Sequence, residues 1–142
     1  MITAIFIDCE WNDWQGELIS IALVSEDGRD FYRELPCENP SRWVAENVIP
    51  KLGGGPTTMP ELQAALEAFL SQFEAVHIVA DWPEDISWFC RCLIKSAGKR
   101  IKTPHLTMEV RRDIFGCSPS NPHNALADAY ALRDEWTYKT PL

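Results

Sequence analysis

Residues 5–10, Ile-Phe-Ile-Asp-Cys-Glu, constrain the fold more than any other part of the chain. The apolar run that ends at Ile7 is typical of a strand buried in the middle of a sheet. Because side chains alternate between the two faces of a strand, Asp8 and Glu10 point to one face and Cys9 to the other. Two like charges at the end of a buried strand repel each other and are poorly hydrated. A hard divalent cation with oxygen ligands would stabilise them.

This motif by itself supports two interpretations equally well. In the first, Asp8 and Glu10 bind a metal ion. In the second, the strand frays into solvent at this point, where two neighbouring carboxylates cost nothing. The metal interpretation requires further carboxylates that reach the same place from other elements of the fold.

The composition indicates one folded domain. A chain of 142 residues, 46% of them hydrophobic, is long enough for a single domain over residues 1–142 with its own core. The N-terminal stretch has no basic region and its apolar run stops at Asp8, so we expect no signal peptide, no membrane span and a cytoplasmic protein. The cysteines show no C-x-x-C spacing and are expected to be reduced thiols: Cys9, Cys37, Cys90, Cys92 and Cys117.

The net charge of −8 limits the binding partners. It argues against tight, nonspecific binding to duplex nucleic acid, which needs a strongly basic surface. It is compatible with an enzyme that grips a few nucleotides around bound cations, because those cations neutralise part of the acidic charge.

The predicted elements follow the order of an α/β fold with a mixed sheet. Strands are predicted over residues 2–7, 17–24, 29–35, 75–80 and 103–107. Helices are predicted over residues 42–49, 86–97, 108–115 and 125–138. A further helix is predicted to begin at the capping box formed by Thr58 and Glu61, with its apolar face between residues 62 and 73. The first three strands form an antiparallel meander, and helices then alternate with strands. This pattern predicts a layered α/β architecture.

Three regions of this fold can bring carboxylates to one place. They are Asp8 and Glu10 at the end of the first strand, Asp81 and Asp85 after the strand over residues 75–80, and Asp128 in the last helix. In α/β sheets, sites form at the carboxyl ends of parallel strands. His123 precedes Asp128 by five residues, so a histidine lies about one helical turn from this carboxylate.

The acidic motifs resemble those of the DEDDh 3′–5′ exonucleases. Asp8-Cys9-Glu10, an aspartate that opens a helix after a later strand, and the stretch from His123 to Asp128 follow that pattern in order. Residues 8–11, 17–24 and 43–52 look most like the small adenylate-specific, RNase AS-like branch. The resemblance implies a single 3′–5′ exonuclease domain with an RNase H-like three-layer fold. That fold has a central mixed five-stranded β-sheet flanked by helices.

The resemblance also implies roles for the site residues. The reaction would be hydrolysis of a terminal phosphodiester bond with two Mg²⁺ or Mn²⁺ ions. The ions would be held by Asp8, Glu10, Asp85 and Asp128, and His123 would take the proton from the attacking water. We place Asp85 rather than Asp81 in the ligand set, because Asp85 stands at a helix start followed by aromatic residues, as in the family. Asp81 then becomes a turn residue or a supporting one.

Trp11 and Trp14 follow Glu10 where a terminal base could stack, although packing or anchoring of a loop would explain them as well. Together with His123 they are the candidate substrate-binding residues. The implied partner is the 3′ end of a single-stranded nucleic acid, with RNA favoured over DNA on the branch resemblance alone. No membrane partner is expected, and the oligomeric state, a homodimer included, stays open.

Two other functions stay open on this sequence. An RNase H-like endonuclease or resolvase would share the same carboxylates, although a positioned histidine argues against it. A non-catalytic, acidic binding module would hold a structural ion and would bind metal without turnover.

Overall fold

The computed structural model describes residues 1–114 and 122–139. Its strands are β1 (Ile2–Trp11), β2 (Leu18–Ser25), β3 (Asp30–Glu34), β4 (Ala75–Ala80), β5 (Ile94–Ser96), β6 (Lys99–Arg100) and β7 (His105–Val110). Its helices are α1 (Arg42–Asn47), α2 (Met59–Leu70), α3 (Pro83–Leu93) and α4 (Ala125–Lys139), with a 3₁₀ turn at Ile49–Lys51. Within these residues no helix has the length and apolar character needed to cross a bilayer. The cysteines in the described part of the chain are free, while Cys117 and most of the loop that follows it lie outside that part.

Five strands form one mixed sheet in the order β3-β2-β1-β4-β7. β1 pairs antiparallel with β2, and β2 with β3, which confirms the predicted meander. β1 pairs parallel with β4, and β4 pairs parallel with β7. The carboxyl ends of β1 and β4 therefore meet at one edge of the sheet, where α/β proteins build their sites.

Helices cover both faces of this sheet, which confirms the predicted three-layer α/β architecture. On one face, Ile5 and Ile7 of β1 belong to the core cluster that includes α2 and α3. On the other face, Phe6 packs against α4. Since the faces alternate along β1, Asp8 and Glu10 lie on the α4 side with Phe6.

Small side chains let α4 lie close to the sheet. Ala125 and Ala129 of α4 are fully buried against Ala22 and Val24 of β2. Alanine contributes a single methyl group, so a close-packed contact between helix and strand is reached at a short separation. The N-terminal half of α4 is thereby held over the acidic end of β1.

The second half of the chain departs from the predicted elements. α3 begins at Pro83, a residue suited to the first helical turn, rather than at residue 86, and it ends at Leu93 rather than at residue 97. The chain then forms the β5–β6 hairpin, which turns at Gly98 with a φ of +71°. The helix predicted over residues 108–115 is wrong at its start, because β7 continues to Val110 in register with β4.

Gly16 lies in the tight turn between β1 and β2, where a side chain has no room. A Cβ at this position would lie 1.6 Å from the carbonyl oxygen of Asn12. We expect Gly16→Ala to lower the free energy of unfolding by about 1–3 kcal/mol, because the backbone must shift. Gly55→Ala is the matched control, since no described atom lies within 4 Å of a Cβ at that position. Urea unfolding of the two variants is the measurement, and equal stabilities would contradict the predicted crowding.

Candidate active site

Asp8 and Glu10 enter the site from β1, which continues to Trp11 instead of ending at residue 7 as predicted. Both carboxylates therefore lie within a paired strand, opposite Ala22 and Ser20 of β2. Asp8 Oδ2 is buried and has no hydrogen-bond partner among the described residues. A buried carboxylate oxygen without a donor is costly, and coordination of a cation would compensate for that cost.

Asp81 and Asp85 enter from the carboxyl end of β4. Asp81 directly follows the strand, and Asp85 lies in the first turn of α3. Asp85 is only 1% exposed, and its Oδ1 accepts a hydrogen bond of 3.0 Å from the backbone N–H of Cys9. This bond joins α3 to β1 and keeps the Asp85 carboxylate beside that of Asp8. The positive end of the helix dipole adds a favourable interaction with the buried carboxylate.

Asp128 enters from the first turn of α4. Asn124 caps this helix, since its Oδ1 accepts a hydrogen bond of 3.1 Å from the N–H of Ala127. The Asp128 carboxylate accepts a hydrogen bond from the backbone N–H of His123 and shares another with the carboxyl group of Glu10. The helix start thus fixes Asp128 next to β1.

The carboxylates form two overlapping groups that share Asp8. One group is Asp8, Asp81 and Asp85, and the other is Asp8, Glu10 and Asp128. Within each group, one carboxylate oxygen from every residue lies within 4.8 Å of the others. The structure brings the four predicted ligands together, and Asp81, which the sequence pattern placed outside the ligand set, is a further candidate ligand. We call the five residues of the two groups the carboxylate cage: Asp8, Glu10, Asp81, Asp85 and Asp128.

Burial and mutual repulsion favour the protonated forms of the cage residues. Burial raises the pKa of Asp8 and of Asp85 well above the ordinary range, and neighbouring carboxylates raise both further. Burial and the charge of Asp128 raise the pKa of Glu10 to about 8, and burial raises the pKa of Asp128 to about 6. In the absence of a cation, the cage therefore retains protons at a pH where carboxyl groups in water have lost them.

The donor set of the cage fits a hard divalent cation. Carboxylate oxygens suit Mg²⁺ and Mn²⁺, and the unpartnered Oδ2 belongs to Asp8, the residue common to both groups. Arg112 approaches from one side, where its guanidinium donates to the backbone carbonyl of Asp81. Its charge lowers the pKa of the Asp81 carboxyl group, while burial, the larger effect, raises it. The cage residues can therefore hold cations of this class.

His123 lies beside the cage in an exposed turn before α4, with a φ of +66°. Its backbone N–H donates to the carboxylate of Asp128. Its imidazole ring packs edge-on against Trp43 of α1, with the ring centroids 5.1 Å apart. An exposed side chain in a turn can change its rotamer.

A cavity of about 320 Å³ opens beside Glu10 and is lined by Trp11, Trp14 and Trp43. We call it the aromatic pocket. Trp14 is 80% exposed, which excludes core packing as its role. Trp43 was not among the predicted site residues. The sequence offers one signal for this residue, an aromatic side chain two positions after Ser41, the N-cap of a six-residue helix. The Trp43 side chain is 49% exposed.

Asn12 joins the two walls of the aromatic pocket. Its Nδ2 donates to the carbonyl oxygen of Asn39 at 2.8 Å, and its Oδ1 accepts from the N–H of Ser41 at 2.8 Å. Ser41 is the N-cap of α1. One side chain therefore connects the turn that carries Trp14 to the helix that carries Trp43.

No family model matches the chain. The chain is similar to two curated proteins, each named a 3′–5′ exoribonuclease and each from a strain of Mycobacterium tuberculosis. With each of them it is 29% identical over 131 residues, which cover 80% of this chain and 77% of the relative.

The raised pKa values predict how the stability of the metal-free protein depends on pH. The pKa of Glu10 rises from an ordinary 4.5 to about 8 on folding, so above pH 4.5 the unfolded chain releases this proton before the folded chain does. The contribution of this protonated carboxyl group to the free energy of unfolding is therefore complete below pH 4.5 and is lost as the pH rises toward about 8. We expect the melting temperature in EDTA to fall across this range. With saturating Mn²⁺ the fall should be smaller, because the cation replaces the protons.

Asp8→Asn tests whether this pH dependence originates in the cage. The amide is neutral and can donate to a neighbouring carboxylate, so the repulsion around position 8 is relieved. At pH 8 in EDTA, the variant should melt at or above the wild-type temperature, and the increase that Mn²⁺ gives the wild type should be lost. A lower melting temperature in EDTA would mean that Asp8 is a structural residue and that the repulsion argument is wrong.

Proposed function

We propose that this chain is a metal-dependent 3′–5′ exoribonuclease of the DEDDh type, within the RNase AS-like branch. It removes nucleotides from the 3′ end of single-stranded RNA. The observation that carries the proposal is the carboxylate cage, in which two groups of acids share Asp8 and one Asp8 oxygen is buried without a partner. The names of the two mycobacterial relatives support RNA as the substrate and the 3′ to 5′ direction of cleavage.

The cage supplies the ligands in this proposal. Asp8, Glu10, Asp85 and Asp128 would hold two Mg²⁺ or Mn²⁺ ions, and Asp8 is the residue common to both groups. The chemistry supplied by such ions would be stabilisation of the attacking and the leaving oxygen of an in-line displacement at phosphorus. Burial of the carboxylates strengthens their attraction for the cations, since charges interact more strongly away from water.

His123 acts as the general base in this proposal. Its backbone bond to Asp128 keeps it next to the cage, and rotation of its side chain moves the ring from Trp43 toward the attacking water. The ring accepts a proton from that water as the water oxygen bonds to phosphorus and the bond from phosphorus to the leaving 3′ oxygen breaks. The contact with Trp43 holds the ring at the wall of the aromatic pocket until then.

The aromatic pocket holds the terminal nucleotide. Glu10 lines this pocket and also belongs to the cage, so a base between the tryptophans has its phosphate beside the carboxylates. Stacking on an aromatic side chain contributes about 1–3 kcal/mol per base and does not require a particular base. Trp14 and Trp43 are exposed enough to provide such surfaces.

End-labelled oligonucleotides test the proposed reaction. RNA and DNA of the same sequence, labelled at the 5′ or the 3′ end, are incubated with Mg²⁺, Mn²⁺ or EDTA. We expect the 5′-labelled RNA to shorten one nucleotide at a time and the 3′ label to appear at once as a mononucleotide. EDTA should abolish both changes.

Circular RNA separates the proposed exonuclease from an endonuclease with the same cage. An exonuclease leaves the circle intact. Cleavage of the circle would refute the exonuclease and indicate an RNase H-like endonuclease. A rise in melting temperature with Mn²⁺ but no cleavage of any substrate would indicate a binding module.

His123→Ala should lower kcat by about 10²–10⁴-fold, the usual contribution of a positioned general base. The increase in melting temperature with Mn²⁺ should be retained, because the imidazole is not proposed as a ligand. The matched control is His105→Ala, which removes an exposed histidine at the amino end of β7, away from the cage. Wild-type rates for His123→Ala at neutral pH would show that this histidine is not the base.

A further inference from the structure

A second cavity, of about 290 Å³, lies along the exposed face of α3. The helix lines it with Glu84, Ser87, Trp88 and Arg91, whose spacing places them on one side of the helix. The other side of α3, with the buried Asp85, faces the core. The remaining wall is the turn between β1 and β2. We call this cavity the α3 groove.

The α3 groove adjoins the aromatic pocket. Glu84 lines both cavities, and the turn between β1 and β2 separates them. Asp13 and Trp14 face the aromatic pocket from this turn, while Gln15 and Gly16 face the groove. The groove and the aromatic pocket therefore lie on the two sides of this turn, and Glu84 belongs to the walls of both.

Arg91 gives the groove a positive charge that no acid neutralises by contact. Its guanidinium lies over the ring of Trp88, 5.0 Å from the centroid, and it forms no ion pair with a carboxylate of the described residues. Arg29, Arg42 and Arg133, by contrast, each contact an acidic side chain. The ring orients the guanidinium and leaves its N–H donors available, and guanidinium donors match the oxygens of a phosphate.

Further cations follow Arg91 along the chain. The β5–β6 hairpin begins where α3 ends, and its side chains Lys95, Lys99 and Arg100 are exposed. In a chain with a net charge of −8, a basic segment next to a groove attracts a polyanion to that place. The neutral polar groups of Gln15 and Ser87 add donors for sugar or base. Glu84 repels phosphate, so the phosphate contact belongs at the Arg91 end of the groove.

We propose that the α3 groove is a second nucleotide subsite, in which Arg91 binds a backbone phosphate of single-stranded RNA close to the cleaved bond. The inference rests on the proposed exoribonuclease function, because it extends the substrate from the aromatic pocket along the chain. The groove contributes affinity for strands longer than a mononucleotide, while the bond cleavage itself takes place at the cage.

The first test measures how binding depends on salt. A fluorescent RNA octamer is titrated with Asp8→Asn protein, which does not consume it, with and without a second change, Arg91→Gln. Loss of one phosphate contact in a single strand should lower the slope of log K against log salt by about 0.7. We expect this change in slope and a loss of affinity of about 5–10-fold, and Arg91→Lys should restore most of both.

Arg33→Gln is the matched control for this measurement. Arg33 is also exposed, and its guanidinium lies 5.0 Å from the centroid of the Phe31 ring, on the edge strand β3 and outside the residues that line the groove. The substitution removes the same charge from a similar ring contact. An equal effect of Arg33→Gln and Arg91→Gln on the slope would overturn the subsite, since net charge alone would then explain the loss.

The second test locates the phosphate on the RNA. Octamers that carry one uncharged methylphosphonate linkage, placed in turn along the strand, are bound to the Arg91→Gln and Arg33→Gln proteins. One linkage within about three of the 3′ end should weaken binding to the Arg33→Gln protein and have no effect on the Arg91→Gln protein. A linkage whose effect on binding depends on the presence of Arg91 marks the phosphate that Arg91 contacts. Identical profiles for both proteins would overturn the inference.

The outcomes separate this inference from the proposed function. If the wild type shortens RNA from the 3′ end but Arg91→Gln shows no change in slope and no coupled linkage, the subsite alone is wrong. If no RNA is shortened and a coupled linkage is found, the proposed function is wrong and the groove stands as an RNA-binding site. Absence of both results overturns both.

Discussion

Repulsion among buried carboxylates is the constraint on which the rest of this structure depends. The cage gathers acids where burial and neighbouring charges both disfavour ionisation. A fold can hold such a cluster only if other contacts fix the backbone that carries it. β1 provides that frame, because strands pair with it on both sides and Ile5, Phe6 and Ile7 are fully buried. The apolar half of one strand thus stabilises the acidic half, and a bound divalent cation would convert the repulsion into attraction.

The sequence predicts those parts of the site that depend on the order of elements. The proximity of Asp8, Glu10 and Asp128 could be predicted because a central strand and the helix packed on its face meet at one edge of the sheet. Asp81 was among the acids predicted to reach this edge, but the family resemblance favoured Asp85 as the ligand and left Asp81 as a turn or supporting residue. Only residues 81 and 82 separate β4 from Pro83, and so short a link holds Asp81 at the cage.

Elements that depend on contacts between distant residues were harder to predict. The helical pattern continues past Leu93, yet the chain leaves the helix there to pair β5 with β6. The buried side chain of Gln63 helps to determine where α3 ends, since its Nε2 donates to the backbone carbonyls of Cys92 at 3.1 Å and Ile94 at 2.8 Å. Carbonyls at a helix end need such donors, and only the folded structure shows which side chain provides them. The hairpin in turn exposes the cations beside the α3 groove.

The turn between β1 and β2 carries side chains of the aromatic pocket, whereas the strand before it carries Asp8 and Glu10 of the cage. Asp13 and Gln15 have positive φ values, of 58° and 60°, and Gly16 cannot accept a side chain, so the turn adopts a conformation that most sequences avoid. The register shifts between Glu10 and Trp11, which directs Trp11 away from the regular strand pattern. Asp8 and Glu10 therefore follow the regular pairing of β1, whereas Asp13 and Trp14 of the aromatic pocket follow the turn. Under the proposed function, changes in the turn would alter nucleotide binding without displacing the carboxylates proposed as cation ligands.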